Sequence, residues 1–207
     1  GLDNCKEMSV LFAGLEFARR GFHTLAIDGP GQGEALRLRN IHRRYDYEIA
    51  GTAAYNYVAM RADVDPKRVG VMAYSFGGYY APRIAAFEHR YASCVVLGAL
   101  AWDVHAKQLE RKRLLESDPK KTSQSPFQLP WVLGVKDMDA AIEVVKRFTL
   151  ANCAGQITCP FLVTHGANDR LATPDDAQKL YAAVSSKNKT IKIFTADEGG
   201  AEHCHVD

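Results

Sequence analysis

Apolar residues recur along this chain with two alternating periods. Residues 5–20 place Met8, Leu11, Phe12, Leu15 and Phe17 or Ala18 three or four apart, and Gly21 follows as a stop, which predicts an amphipathic helix. The short apolar run 22–27 (FHTLAI) breaks off at the glycine-rich DGPGQGE, the pattern of a buried strand running into a loop. From Tyr47 to Ala62 the positions Ile49, Ala53, Tyr57 and Met60 again step helically, and Pro66 closes the connection to a strand within RVGVMAY at 68–74. A helix is expected over 77–88, although Pro82 costs it a hydrogen bond unless it lies near the first turn or at a bend. Runs at 93–100, 160–166 and 190–195 read as further strands, with a helix from about Asp175 to Val184 between the last two.

Short apolar strands alternating with helices predict an α/β protein, with βαβ units on a mostly parallel sheet covered on both faces. The 207 residues suit one domain with a sizeable core. Residues 101–155 break the rhythm with the polar SDPKKTSQSPFQLPW and the helical DMDAAIEVVKRFTLA, and are read as an insertion over one end of the sheet. No internal repeat or low-complexity segment is present.

The charges nearly cancel, with 26 Lys and Arg against 24 Asp and Glu, so no global field draws the chain onto nucleic acid. The basic clusters Arg37, Arg39, Arg43, Arg44 and Lys107, Arg111, Lys112, Arg113 read as solvated faces. Cys5, Cys94, Cys153, Cys159 and Cys204 are odd in number and lack the close spacing of a zinc knuckle or a redox pair, which favours free thiols in a reducing compartment. Neither a membrane-length apolar run nor a signal segment is found, so the expectation is a cytoplasmic protein with no membrane partner. Oligomeric state has no signature here.

Loops at the carboxyl ends of parallel strands form the ligand crevice, and 28–34 and 75–78 both leave strands there. The segment AYSFG, Ala73 to Gly77, fits the small-x-Ser-x-Gly pattern of a nucleophile elbow, where strand and helix pass too closely for bulk two residues either side of Ser75. The plainer alternative is a serine capping a helix. A serine nucleophile needs a base oriented by a carboxylate, in the chain order Ser, acid, His on this kind of sheet. Asp169 follows the strand at 161–164 and His203 follows the last strand, with Asp103 and His205 as rivals. His165 and His23, inside apolar strand sequences, read as satisfied structural histidines, and His42, His89 and His105 carry no pattern.

An acyl-transfer oxyanion needs two prearranged donors. One is expected from the Phe76 N–H, directly after the nucleophile. The other is expected from the loop ahead of the first helix, with Leu2 as candidate and Asp3 as alternative. Glu34, closing DGPGQGE, would lie near the crevice, either orienting substrate or a loop or binding its own backbone. No metal constellation is present, because His203-x-His205 alone is too little, and the chemistry needs no cofactor. GPGQGE also lacks the glycine spacing of a dinucleotide fold.

The stretches GLDNCKE, DGPGQGE, AYSFGGYYAPRIAAFEHR, ITCPFLVTHGANDRL and GGAEHC resemble the α/β-hydrolase superfamily. More narrowly they resemble the group of FrsA-like esterases, 2,6-dihydroxypseudooxynicotine hydrolases and fungal pigment hydrolases that shorten polyketides. The resemblance implies an α/β-hydrolase fold with its first strands missing, and a Ser75, Asp169, His203 triad, the histidine before the cysteine being the catalytic one in that group. It also implies a small-molecule substrate, an aromatic or polyketide-like ketone cleaved at the carbon–carbon bond beside its carbonyl. Ester hydrolysis by the same triad is the alternative, and a non-catalytic ligand-binding hydrolase fold the rival of another class. The group usually carries a helical cap before the core and more chain after the histidine, so residues 1–207 are expected to be a segment of a longer protein.

Overall fold

The computed structural model of the protein describes residues 1–99, 102–118, 120 and 125–206. A helical segment opens the chain as α1 (Lys6–Ser9), a wider π turn at Val10–Gly14, and α2 (Leu15–Arg19). After a loop come α3 (Gly33–Arg37) and α4 (Glu48–Ala59). Strand and helix then alternate: β1 (Gly70–Tyr74), α5 (Gly77–Phe87) and β2 (Ser93–Leu97). An excursion holds α6 (Val104–Ser117), α7 (Gln128–Leu133) and α8 (Met138–Val145). The chain returns through β3 (Phe161–Gly166), α9 (Pro174–Ala183) and β4 (Lys189–Phe194).

The four strands form one all-parallel sheet in the order β1-β2-β3-β4. The register runs Gly70 opposite Ser93, Cys94 opposite Phe161 and Phe161 opposite Lys189, so the carboxyl ends of all four strands emerge along one edge. Helix α5 packs on β1 and β2, α9 on β3 and β4, and α4 on α5. All but the last residue of α5 are buried, which is why its sequence is mostly apolar rather than striped, with buried Arg83 paired to Glu48 at 2.8 Å. Pro82 lies inside α5, past the first turn, and removes the N–H that would bond the Gly78 carbonyl.

The insertion expected at 101–155 packs α8 against α6 and α7, and Leu129, Val132, Ala141, Val145, Phe148 and Leu150 are buried there. Its stem is clasped where Asp103 pairs antiparallel with Thr149. Asp103 also caps α6, its carboxylate accepting from the Ala106 N–H at 3.0 Å. The polar stretch 117–131 runs from the last residue of α6 into α7, and part of it, with Leu100 of the run 93–100 and Ala101 beyond it, lies outside the described residues. The α6 helix was not visible as apolar periodicity, because its outer faces are almost wholly charged.

One expectation at the amino-terminal side is corrected. Residues 22–27 are not a buried strand: they carry no ladder pairing, and Phe22 and Leu25 are exposed. A strand requires a neighbour to bond, and β1 has β2 alone as its partner among the described residues. The helix at 6–19 forms as its periodicity predicted, yet Met8, Leu11, Phe12 and Leu15 face solvent. Periodicity reports which face is apolar and says nothing of whether anything covers it.

The bend between β1 and α5 is tightly packed. A Cβ placed on Gly77 would stand 2.5 Å from the Ala73 Cβ, so the demand for small residues on both sides of Ser75 is steric. Gly77→Ala should therefore destabilise the protein by about 1–3 kcal/mol, the usual range for overpacking, read from the urea midpoint. An unchanged midpoint would show that strand and helix part without cost.

Candidate active site

Ser75 follows β1 directly and sits at φ 58°, the left-handed region that a residue with a side chain occupies at a cost of about 1–3 kcal/mol. Its N–H bonds the Leu97 carbonyl at 2.9 Å and its carbonyl accepts from the Gly78 N–H at 2.8 Å, so the turn is fixed from both sides. Asp169 comes three residues after β3 and is buried. Its Oδ1 accepts from the Leu171 and Ala172 N–H groups at 2.8 and 3.0 Å, which leaves Oδ2 free to turn toward the sheet end.

His203 arrives after β4 on a segment that crosses the end of β3. There the Asn168 N–H bonds the Ala201 carbonyl at 2.8 Å. A Cβ on Gly166 would collide with the Ala201 and Glu202 carbonyls at 2.2 and 2.4 Å, so only glycine lets the crossing backbone come this near. His203 Nδ1 lies 2.7 Å from Asp169 Oδ2, and its Nε2 lies 2.8 Å from Ser75 Oγ. Residues 128 positions apart in sequence thus meet in one hydrogen-bonded chain, hydroxyl to imidazole to carboxylate.

Burial, the largest single influence, favours the neutral imidazole of His203, but Asp169 and Cys204 together, through hydrogen bonding and charge, outweigh it and the ring is pushed up to about 9. Burial likewise works against the Asp169 carboxylate. The His203 bond and the backbone donors prevail, and its pKa lies below the ordinary value.

The rival residues are engaged elsewhere. His205 Nε2 lies 2.7 Å from Thr164 Oγ1 and its Nδ1 2.8 Å from the Gly200 carbonyl, with the ring edge-on to Phe194. The left-handed Cys204 and His205, φ 57° and 64°, turn the two imidazoles apart. Asp103 is spent as a helix cap. His165 is buried with Nε2 bonded to the Ala172 carbonyl at 2.8 Å, but its Nδ1 has no partner among the described residues, so it is not the satisfied histidine expected. Burial lowers its pKa and keeps the ring neutral. His23, also expected in a strand interior, is exposed 4.0 Å from Asp63.

Glu34, expected to orient substrate or a loop or to bind its own backbone, ties the glycine-rich segment to the start of α1. Its exposed carboxylate pairs with Lys6 Nζ at 3.0 Å, and its N–H bonds buried Asp28 at 3.0 Å, which also accepts from the Lys6 N–H at 2.7 Å. Through Asp28 and Lys6 the glycine-rich loop anchors the segment holding Leu2. That segment reaches the end of β1, where the Asn4 amide donates to the Tyr74 hydroxyl. Among the described residues the Leu2, Asp3 and Phe76 N–H groups bond no acceptor.

Sequence reasoning missed the surroundings of these donors. Arg43, read as part of a solvated basic cluster, is buried, with its guanidinium 4.1 Å from the centroid of the Phe76 ring and donating to the Leu2 carbonyl. Gln32 donates to the Gly1 carbonyl at 3.1 Å and accepts from the Tyr47 hydroxyl. No spacing in the sequence distinguishes Arg43 from exposed Arg44 beside it. All five cysteines are unpaired. Among the described residues no His, Cys, Asp and Glu group is placed to hold a metal, and no helix is long and apolar enough to cross a membrane.

A parallel sheet with helices packed on it, a strand-to-helix serine turn and a histidine delivered after the last strand define the α/β-hydrolase class. The model of the prolyl oligopeptidase family matches residues 11–203, and the chain belongs to that family. It is 29% identical over 171 residues to the 2,6-dihydropseudooxynicotine hydrolase of Paenarthrobacter nicotinovorans, covering 83% of this chain and 43% of that one. It is 28% identical over 200 residues to the hydrolase phmG of Phaeosphaeria nodorum, covering 84% and 42%. The 20-hydroxy-prefusarin hydrolase FUS2 of Gibberella moniliformis is 25% identical over 233 residues, covering 97% and 55%. The chain therefore spans about half the length of the curated relatives it matches. The crystal structure of 2,6-dihydroxy-pseudo-oxynicotine hydrolase superposes with a TM-score of 0.80 at 24% identity, over 99% of this chain and 53% of that one, a likeness of fold.

The two histidines should separate cleanly on substitution. His205→Ala should lower stability by about 1–3 kcal/mol, through loss of two part-buried hydrogen bonds, yet leave Ser75 reactive toward a fluorophosphonate probe. His203→Ala should do the reverse, and equal labelling of the two variants would overturn this division.

Proposed function

We propose that the protein is a serine hydrolase in which Ser75 is the nucleophile, His203 the general base and acid, and Asp169 the residue that orients and charges the imidazole. The observation that supports it best is the unbroken hydrogen-bonded chain from Ser75 Oγ through His203 to Asp169 Oδ2, at 2.8 and 2.7 Å. The substrate class is drawn from the resemblance: a small aromatic or polyketide-like ketone, cleaved at the carbon–carbon bond beside its carbonyl.

In this reading Ser75 Oγ adds to the ketone carbon as His203 Nε2 takes its proton. The carbonyl π pair moves onto oxygen, and the alkoxide is received by the N–H groups of Phe76 and Leu2. Collapse of the intermediate re-forms the carbonyl and breaks the carbon–carbon bond. The pair passes to the departing carbon, which must be stabilised as an enolate or phenol-like anion and takes its proton from the His203 imidazolium. Water, deprotonated by His203, then releases the acid from the acyl-enzyme. The insertion at 101–155 is proposed as part of the substrate enclosure. No step calls for a metal or a cofactor.

The deciding experiment is turnover of aryl β-diketones beside simple aryl esters by the full-length protein and its Ser75→Ala variant. Ser75-dependent diketone cleavage is expected, while rapid ester turnover with untouched diketones would reassign the protein as an esterase. Failure of a fluorophosphonate to label Ser75 in folded protein would overturn the serine mechanism itself.

The pH dependence has a definite sign. His203 must be neutral to accept the Ser75 proton, so kcat/KM should fall as pH drops through its pKa and rise toward about 9. Asp169→Asn removes the strongest of the groups that raise that pKa. It should shift the rising limb to lower pH and cut kcat by about 10⁴-fold, as measured in a pH–rate profile. A limb that stays in place would remove Asp169 from its role.

A further inference from the structure

We propose that Arg43 is the positioning residue of the oxyanion hole, holding both of its donor residues and lending its charge to the oxyanion. This rests on the serine-hydrolase reading above. Arg43 is 4% exposed, and none of the ion pairs among the described residues involves it. Its Nε and Nη1 have no hydrogen-bond partner among the described residues. A buried guanidinium without a carboxylate is among the least favourable groups a fold can contain, costing several kcal/mol. Its surroundings give a reason for it to stay.

Arg43 touches both residues assigned as donors. Its Nη2 donates to the Leu2 carbonyl, and its guanidinium lies over the Phe76 ring, 4.1 Å from the centroid. The arginine is itself anchored by its N–H, which bonds the Val132 carbonyl at 2.8 Å. Gln32 completes the arrangement from the other side: it donates to the Gly1 carbonyl at 3.1 Å, the oxygen of the same peptide unit that bears the Leu2 N–H. Gln32 is in turn held by the Tyr47 hydroxyl, and the Tyr47 ring stacks on Tyr80 at 3.7 Å. Leu2 is thus gripped through the carbonyl on each side of its N–H, and Phe76 through its ring.

Among the described residues the positive charge of Arg43 forms no ion pair, and Asp3, which acts on it only at longer range, is paired with Arg37 at 3.6 Å. The partner arrives with the reaction, as the alkoxide formed when Ser75 adds to the carbonyl. Such an arrangement stabilises the intermediate more than the bound ketone, and so acts on kcat rather than on KM.

The test uses the full-length protein, its Arg43→Met and Arg43→Lys variants, and an aryl trifluoromethyl ketone, to which Ser75 adds as to a substrate. Arg43→Met should lower kcat by about 10²-fold with KM changed less than about threefold, and should weaken trifluoromethyl ketone inhibition by a matching factor. Arg43→Lys keeps the charge but cannot both cover Phe76 and reach Leu2, and should lose about tenfold in the same two quantities. It carries the test if the methionine variant does not fold. Either folded variant with parental kcat and inhibitor affinity would overturn the proposal, as would a loss falling wholly on KM. If the parent forms no Ser75 adduct, the serine reading falls and this inference with it. If parent and variant form it equally well, the inference alone falls.

Discussion

The hydrogen bond from Ser75 to His203 is the interaction on which the rest of the structure converges. It joins the end of the first strand to a loop beyond the last, and it can exist only because four parallel strands deliver their carboxyl ends to one edge. Parallel pairing makes that edge the sole place where turns after β1, β3 and β4 can meet. The short bond then depends on two close approaches, α5 against β1 at Gly77 and the 201–202 backbone against β3 at Gly166. The site is held by backbone crowding as much as by side-chain attraction.

Much of this was legible in the sequence because the requirements are local and steric. Strands β1 to β4 and helices α4, α5 and α9 follow from apolar periodicity, and Ser75 stands out because small residues must surround it. Chain order pointed to Asp169 and His203. The resemblance favoured them over Asp103 and His205, and the physical reason is visible only in three dimensions, where the left-handed backbone at Cys204 and His205 turns one ring toward Ser75 and the other toward Thr164. The strand expected at 22–27 failed for a different reason: a strand is a relation between two segments, and apolar content reveals only one of them.

Arg43 was the least legible residue of all. Adjacent arginines read alike in a sequence, and their different fates depend on a backbone bond from residue 43 to Val132 in a distant helix. The charge pattern that describes surfaces well gives a wrong answer wherever one member of a cluster turns inward. Buried polar atoms without partners supply the opposite signal, and here they direct attention to Leu2 and Phe76, which the Arg43 guanidinium touches.

The excursion between β2 and β3 has its own lesson. Its stem is pinched by the pairing of Asp103 with Thr149, and the strands it joins are neighbours. The sheet consequently experiences this stretch as a closed loop, whose entropic penalty grows only with the logarithm of its length. Descendants of this gene could lengthen, trim or exchange the excursion as a cassette while the Ser75, His203 and Asp169 side chains stayed in register.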